Sequence, residues 1–267
     1  MSGIREVLEN SRKVVIKIGS NVLSTDDGMP NKDNIYNIVD QVCELIKMGK
    51  QVIVVSSGAA ICGVGAINKW SRRKDIHYKQ ALCAIGQVEL MMEYKNRFAT
   101  HDVHVGQMLL TRGDFTNDER RLHIRNTLFT LIDEGVVPII NENDSVSVDE
   151  IKIGDNDTLS ALAGSLWNTD ALIILSDING VYDKDPKSNK DAKLIEEVDD
   201  IDQLMKKIQV AGTSSFGTGG IATKIEAARR AGEYGISTIL LNGRKNNIIL
   251  DAMEDKEKGT VFIAEEI

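Results

Sequence analysis

The sequence is short of the residues that mark several common classes of protein. Its cysteines, Cys43, Cys62 and Cys83, form no CxxC pair and no ligand cluster. This spacing excludes a zinc ribbon or a disulfide framework and indicates reduced core thiols. The four histidines offer no metal-ligand pattern, because the nearest pair, His101 and His104, flanks the start of a predicted strand. We therefore expect no protein-bound metal centre.

Positive charge and long apolar runs are also scarce. The 267 residues carry 40 acidic and 32 basic side chains and a net charge of −8, which argues against nucleic-acid and anionic-membrane partners. No apolar run approaches the roughly 20 residues that span a bilayer. Residues 1–13 lack the apolar core of an export signal. We expect a cytoplasmic protein with no membrane or nucleic-acid partner.

Several standard catalytic motifs are absent. Residues 212–218 have the spacing of a P-loop but lack the lysine that must follow its second glycine. No GxGxxG follows a predicted strand, and no HRD or DFG triplet of a protein kinase occurs. Ser57 lacks the GxSxG elbow of a hydrolase. The common nucleotide-binding and hydrolase classes are thereby disfavoured.

What the sequence does contain is a regular alternation of apolar runs with helical patterns. Strands are predicted at 14–18, 52–55, 105–110, 136–140, 171–175 and 237–241, and helices at 34–48, 78–99, 120–134 and 221–231. This order predicts an α/β protein, a three-layer αβα sandwich with a central, mainly parallel sheet. Polar clusters follow four of the strands, where such folds bind ligands.

The densest polar segment lies between residues 141 and 157. NEND (residues 141–144) follows a predicted strand, and GDND (residues 154–157) opens a helical pattern. Carboxylates and amides this dense need cations and hydrogen-bond donors nearby. The segment suits the binding of an ammonium group and the orientation of lysines; a polar hairpin followed by a helix N-cap is the alternative.

Two lysine motifs fit an anionic ligand. Lys17 ends a predicted strand before Gly19, where backbone amides could face phosphate oxygens; an ordinary turn is the alternative. The sequence GTGGIATK (residues 217–224) runs from a glycine turn into a helix with Lys224 one turn inside it. Helix N-termini bind anions, although a flexible loop capped by Thr218 has the same pattern.

Together these blocks resemble the amino acid kinase superfamily over nearly the whole chain. The blocks are VIKIGS (15–20), VSSGA (55–59), NEND with GDND, and LSDINGVY (175–182) with GTGGIATK. NEND with GDND resembles the branch that acts on glutamate. The resemblance implies a single amino acid kinase domain over residues 1–267, with a glutamate-binding lobe at 1–168 and an ATP-binding lobe at 169–267. The chain departs from many relatives by ending at Ile267, where they carry an appended PUA domain, so we expect no PUA domain.

The resemblance also implies an activity. ATP would phosphorylate the γ-carboxylate of L-glutamate to L-glutamyl 5-phosphate, the first step of proline biosynthesis, with Mg²⁺ bridging the β- and γ-phosphates. A γ-carboxylate is already ionised at neutral pH, so no general base is required. The family further implies feedback binding of proline and a homo-oligomer, either a dimer or a tetramer.

Roles for individual residues are carried over from the same resemblance. Lys17 and Lys224 would be catalytic, with Asp157 holding both lysines in place. The substrate contacts would be Ser57, Asn141, Asp144 and Asn156. The nucleotide contacts would be Lys17, Ser176, Asp177, Thr218, Gly219, Gly220, Ile221, Ala222, Thr223 and Lys224.

Three alternative functions stay open. Acetylglutamate kinase or aspartokinase would be a related acyl-phosphate kinase, but a carboxylate at Asp144 favours a substrate with a free ammonium group. A non-catalytic amino-acid sensor would not need Lys17, Asp157 and Lys224 together. A UMP kinase would require an arginine-rich acceptor site, and no such cluster lies near Ser57.

Overall fold

A computed structural model describes residues 3–69, 75–147, 156–210 and 220–264. Its strands are β1 Lys13–Ile18, β2 Gln51–Ser56, β3 His104–Leu110, β4 Val136–Glu142, β5 Ala171–Ser176, β6 Val181–Tyr182, β7 Leu194–Ile195, β8 Glu197–Val198, β9 Ser237–Asn242 and β10 Thr260–Phe262. Its helices are α1 Gly3–Asn10, α2 Lys32–Lys47, α3 Ala59–Ile67, α4 Ile76–Ala99, α5 Asp118–Asp133, α6 Asn156–Trp167, α7 Ile201–Val210, α8 Ile221–Gly232 and α9 Ile248–Met253.

The central sheet contains eight of these strands in the order β3-β4-β2-β1-β5-β9-β10-β8. The pairs from β3 to β9 are all parallel, and β10 runs antiparallel to β9. Strands β6 and β7 form a separate antiparallel pair. Because β1, β2, β4 and β5 are parallel, their carboxyl ends meet at one edge of the sheet.

Helices cover both faces of the sheet, because successive strand residues point to opposite sides. Val14 and Ile16 pack into a core with α1, α2, α4 and α9, whereas Val15 packs into a second core with α5, α6, α7 and α8. The predicted αβα sandwich is confirmed. Among the described residues no helix is both long and apolar enough to cross a membrane.

The six predicted strands and four predicted helices are confirmed, with ends that differ by a few residues. The pattern did not reveal α1, α7, α9 or the short strands β6, β7, β8 and β10. Strand β10 has only three residues, Thr260–Phe262, too few to show a periodic pattern. Its antiparallel pairing with β9 explains why the sheet is mainly rather than wholly parallel.

Candidate active site

The predicted polar clusters meet at the carboxyl edge of the sheet. Ile18 ends β1 in register with Ser56 of β2 and Leu175 of β5. The turns beyond these strands are joined by hydrogen bonds: the Ser57 amide donates to the Ile18 carbonyl at 3.0 Å, and the Gly19 amide donates to the Leu175 carbonyl at 3.0 Å. The loops that carry the candidate residues are therefore fixed to one another.

A buried group of two lysines and one aspartate lies at the centre of this edge. Lys17 shares a sheet face with Val15 and points toward α6, where its Nζ lies 2.5 Å from Asp157 Oδ1. Lys224, in the first turn of α8, places its Nζ 3.3 Å from Asp157 Oδ2. Thr223 donates its hydroxyl to the same oxygen at 3.0 Å. The structure thus brings together three residues that are far apart in the sequence.

The electrostatics of this group follow from its burial. Asp157 is 1% exposed and Lys17 4% exposed. Burial favours the neutral acid, but the charges of Lys17 and Lys224 and the hydrogen bond from Thr223 outweigh it and hold the pKa of Asp157 below its ordinary value. Two ammonium groups and one carboxylate leave an excess of one positive charge, which suits an incoming phosphoryl group.

The predicted nucleotide side continues from β5. Ser176 is buried and donates its hydroxyl to Asp177 Oδ1 at 3.2 Å, while Asn21 Nδ2 donates to Asp177 Oδ2 at 3.0 Å. Burial raises the pKa of Asp177, but the Asn21 and Ser176 hydrogen bonds prevail and hold it below the ordinary value. Asn21 was not among the predicted residues.

The start of α8 faces the same region. Gly220 is the N-cap residue, and Ile221, Ala222, Thr223 and Lys224 form the first turn. Lys224 Nζ also donates to the Gly220 carbonyl at 2.9 Å, so its ammonium group lies over the helix start. Thr218 and Gly219, also predicted to contact nucleotide, lie outside the described residues.

Carboxamide side chains dominate the predicted glutamate side. Asn156 Nδ2 lies 2.9 Å from Asn141 Oδ1, 3.0 Å from Ser57 Oγ and 3.1 Å from the Ser56 carbonyl. Gly58, the N-cap residue of α3, adopts a φ of 100°, a conformation that favours glycine. The N-terminus of α3 is therefore placed directly beside Ser57, where its amides could receive a carboxylate.

Asp144 lies two residues beyond the end of β4 in a different environment. The neighbouring Cys83 thiol favours its charged form, and no lysine or arginine of the described ranges pairs with it. Burial raises the pKa of Asp144 above its ordinary value. Gln80 of α4 fixes the backbone by donating from Nε2 to the Asp144 carbonyl at 3.0 Å. Asp144 is thus held in place as a partly buried anion without a cation.

A cavity of about 540 Å³ adjoins Asp144 and is lined by Cys83 and Gln87 of α4. The predicted site residues did not include Gln80 or Gln87. Their separation by two helical turns places them on one face of α4, and this periodicity was the one signal available for them. Within the described ranges, no three His, Cys, Asp or Glu side chains come close enough to hold a metal ion.

The fold and this lysine–aspartate site define a class of kinase. The sequence model of the Amino acid kinase family matches residues 12–242. The chain therefore belongs to the amino acid kinase family, as its sequence blocks predicted. The crystal structure of UMP kinase from Ureaplasma parvum covers 95% of this chain, with 99% of its own chain, 18% identity and a TM-score of 0.67. Carbamate kinase from Giardia lamblia, bound to AMP-PNP, covers 96% of this chain with 99% of its own, 18% identity and a TM-score of 0.66. At these identities the likeness shows the fold alone.

Full-length relatives place the chain more narrowly, among the glutamate 5-kinases. The glutamate 5-kinase of Alkaliphilus metalliredigens (strain QYMF) is 58% identical over 98% of this chain and 99% of its own length. That of Clostridium acetobutylicum is 44% identical over 98% of both chains.

Proposed function

We propose that this protein transfers the γ-phosphoryl group of ATP to the γ-carboxylate of L-glutamate, giving ADP and L-glutamyl 5-phosphate, the first step of proline biosynthesis. The observation that carries the proposal is the group of Lys17, Asp157 and Lys224, next to which Asn156 is hydrogen-bonded to Asn141. Relatives of nearly equal length that are named glutamate 5-kinase support the choice of glutamate.

The chemistry requires charge neutralisation rather than proton transfer. A γ-carboxylate oxygen forms a bond to the γ-phosphorus while the bond from phosphorus to the β,γ-bridging oxygen breaks, and the electron pair leaves with ADP. No proton moves, so no general base is needed. Lys17 and Lys224 would lie along the path of the transferred group and stabilise its equatorial oxygens. Asp157 would keep both ammonium groups directed into the site.

ATP would be used as its Mg²⁺ complex, and the ion would supply neutralisation of phosphate charge. Such an ion takes most of its ligands from phosphate oxygens and water. An ion bound in this way does not require three ligands from the protein. The described residues, which contain no such group of three His, Cys, Asp or Glu side chains, are compatible with it. The residues proposed to hold the phosphates of this complex are Lys17, Lys224 and the first turn of α8.

Recognition of glutamate follows from the charges at the other end of the pocket. Asp144 would pair with the α-ammonium group, because its carboxylate lies near the Cys83 thiol but has no cation paired with it among the described residues. Asn156 and Asn141 would bind the head group beside it. The amides after Ser57 would receive a carboxylate at the N-terminus of α3.

We also propose that the chain divides by ligand near residue 168. The residues assigned to glutamate precede this point, whereas Ser176, Asp177 and the start of α8 follow it.

Free proline, which shares a carboxylate and an ammonium centre with glutamate, would compete for the glutamate side. The use of cytoplasmic ATP supports a cytoplasmic location. Inhibition by proline that is competitive with glutamate and not with ATP is the expected result in steady-state assays.

A homo-oligomer is proposed from one apolar surface. Val88 and Met92 on α4 and Leu109 on the edge strand β3 are 61%, 50% and 38% exposed, and all three line the same cavity. Such a patch beside an open sheet edge suits a second copy of the chain. Light scattering after size exclusion would show a dimer or larger assembly for the native chain and a monomer for Val88→Asp with Met92→Asp.

The decisive test measures ADP release from Mg-ATP with L-glutamate, N-acetylglutamate and L-aspartate in separate reactions. Hydroxylamine is present to convert an acyl phosphate to a stable hydroxamate. Turnover with L-glutamate alone, lost in Lys224→Ala, is expected. Turnover with another acid would overturn the roles given to Asp144 and Asn156. ATP binding with no turnover would favour the amino-acid sensor.

A further inference from the structure

The glutamate pocket contains a chain of carboxamides whose orientation is set by one backbone group. The amide N–H of Glu142, which can only donate, lies 2.8 Å from Asn141 Oδ1. Asn141 must therefore present its oxygen on that side, and Asn156 Nδ2 donates to the same oxygen at 2.9 Å. The carbonyl of Ser56, which can only accept, fixes Asn156 Nδ2 from its other side at 3.1 Å.

Two consequences follow at the ends of this chain. Asn156 is turned so that its Oδ1 is buried with no hydrogen-bond partner among the described residues. Asn141 is turned so that its Nδ2 needs an acceptor, and Gln87 Oε1 supplies it at 2.8 Å. A buried donor left unpaired is costly, so the Gln87 acceptor stabilises the orientation of Asn141 that the Glu142 N–H sets.

The position of Gln87 is fixed by an unusually close helix crossing. A Cβ atom built on the neighbouring Gly86 would lie 1.8 Å from the Ala59 carbonyl oxygen, and one on Gly63 would lie 2.0 Å from the Leu82 carbonyl oxygen. Helices α3 and α4 thus touch along their backbones, which only glycine allows. This contact ties α4, and Gln87 with it, to the helix that begins beside Ser57.

The amide nitrogen of Gln87 shows which partner this orientation serves. Gln87 Nε2 is buried and has no hydrogen-bond partner within the described ranges, although Gln87 lines the cavity beside Asp144. This orientation leaves the Gln87 donor without a partner among the described residues, so it does not satisfy the hydrogen-bonding groups of Gln87 itself. The side chain is turned to give Asn141 its acceptor.

We propose that Gln87 is a positioning residue for glutamate: through Asn141 it holds the Asn156 amide so that Oδ1 is available to accept a hydrogen bond from the substrate's ammonium group. The inference rests on the proposed function, because it requires an amino-acid substrate. Without the Gln87 acceptor, Asn141 Nδ2 would be buried without this partner, and the orientation of Asn141 that helps to hold the Asn156 amide would be less stable. The loss falls on glutamate binding and leaves the nucleotide side unchanged.

The test compares three variants of the full chain by steady-state kinetics for each substrate. Gln87→Met keeps the length of the side chain and removes the acceptor. Gln87→Glu keeps the length and an acceptor oxygen. Gln107→Met is the matched control, since Gln107 lines the same cavity from β3 but is exposed and has no bond to the carboxamide chain. Thermal unfolding of each variant reports whether it is folded.

For Gln87→Met we expect the KM for glutamate to rise about tenfold while the KM for ATP and kcat change less than about twofold, the pattern of a lost ground-state contact worth one hydrogen bond. Gln87→Glu should raise the KM for glutamate less, about threefold, because it retains the acceptor. Gln107→Met should match the native protein.

An unchanged KM for glutamate in Gln87→Met, or an equal rise for both substrates, would overturn the inference. A rise in the KM for glutamate as large in Gln87→Glu as in Gln87→Met would overturn it as well. If Gln87→Met does not fold, Gln87→Glu decides: a change confined to glutamate supports the inference, and a change shared with ATP overturns it. Absence of glutamate turnover in the native protein would remove the proposed function and this inference with it.

Discussion

Asp157, at the proposed phosphoryl-transfer end of the site, and Asp144, at the proposed glutamate end, are both at least partly buried, and their surroundings are opposite. Asp157 is paired with Lys17 and Lys224, and these charges outweigh its burial, so its pKa is lowered. Asp144 has a thiol partner, Cys83, and no described cation, so burial prevails and its pKa is raised. Both carry the same functional group, and the difference comes from their neighbours alone.

The difference indicates what each end of the site lacks before substrates arrive. At Asp157 the charge balance favours an anion, because two cations face one carboxylate. At Asp144 it favours a cation, because a buried carboxylate without a counter-charge is destabilising. A zwitterionic amino acid with a side-chain carboxylate satisfies both ends at once if its ammonium group lies at Asp144 and its γ-carboxylate lies toward the lysines. The excess positive charge at Asp157 and the negative charge of Asp144 would therefore select the orientation of the proposed substrate.

The largest effect should come from removing the shared carboxylate. Asp157→Asn leaves Lys17 and Lys224 buried without a counter-charge, which we expect to cost about 3 kcal/mol of unfolding free energy. Because both lysines also lose their orientation, kcat should fall by about 10³-fold, the upper range for one transition-state group. Urea unfolding and single-turnover ADP release measure the two effects. A variant with native kcat would show that the lysines need no anchor.

The matching change at the other end should separate binding from stability. Asp144→Asn removes the partner of the ammonium group, so the KM for glutamate should rise about 10²-fold, as expected for a charge-assisted contact. Its unfolding free energy should be unchanged or higher, because the native carboxylate is buried without a cation. The same urea and kinetic measurements apply. A loss of stability as large as that of Asp157→Asn would remove the contrast between the two aspartates.

The pH dependence of stability should have opposite signs at the two aspartates, whose ordinary pKa is 3.8. For Asp157 the lowered pKa contributes stability that is present above 3.8 and is lost as the pH falls through the folded-state value. For Asp144 the raised pKa means that stability falls as the pH rises from 3.8 through the folded-state value. Urea unfolding between about pH 3 and pH 6 should show each slope disappear in the corresponding asparagine variant.

A part of the site can be predicted from the sequence when its residues lie close together in the chain. Lys17, Asn156 and Asp157 were found because strand ends and helix starts leave short, readable motifs. The resemblance predicted that Lys17 and Lys224 lie at Asp157. The structure shows this, because the Lys17 and Lys224 Nζ atoms lie 2.5 Å and 3.3 Å from the Asp157 carboxylate oxygens.

Contacts between distant segments had no such signal. Gln87 meets Asn141 across 54 residues of sequence, and Asn21 meets Asp177 across 156. Neither glutamine nor asparagine is unusual on a helix or in a turn. The spacing of Gln87 from Gln80 indicates a shared face of α4, but it does not indicate which side chain that face contacts. The Gln87–Asn141 and Asn21–Asp177 hydrogen bonds form only when the order of strands in the sheet brings these segments side by side.

The smallest expected effect tests how far the lysines alone hold Asp157. Thr223 donates its hydroxyl to Asp157 Oδ2 at 3.0 Å, the same oxygen that Lys224 reaches. Thr223→Val keeps the shape and removes the donor, and we expect kcat to fall about fivefold, the size of one modest hydrogen bond. Thr223→Ser keeps the hydroxyl and should stay near the native rate. Since nothing changes at Asp144, the KM for glutamate should stay constant in both variants, and a rise there would show that the two ends of the site are coupled.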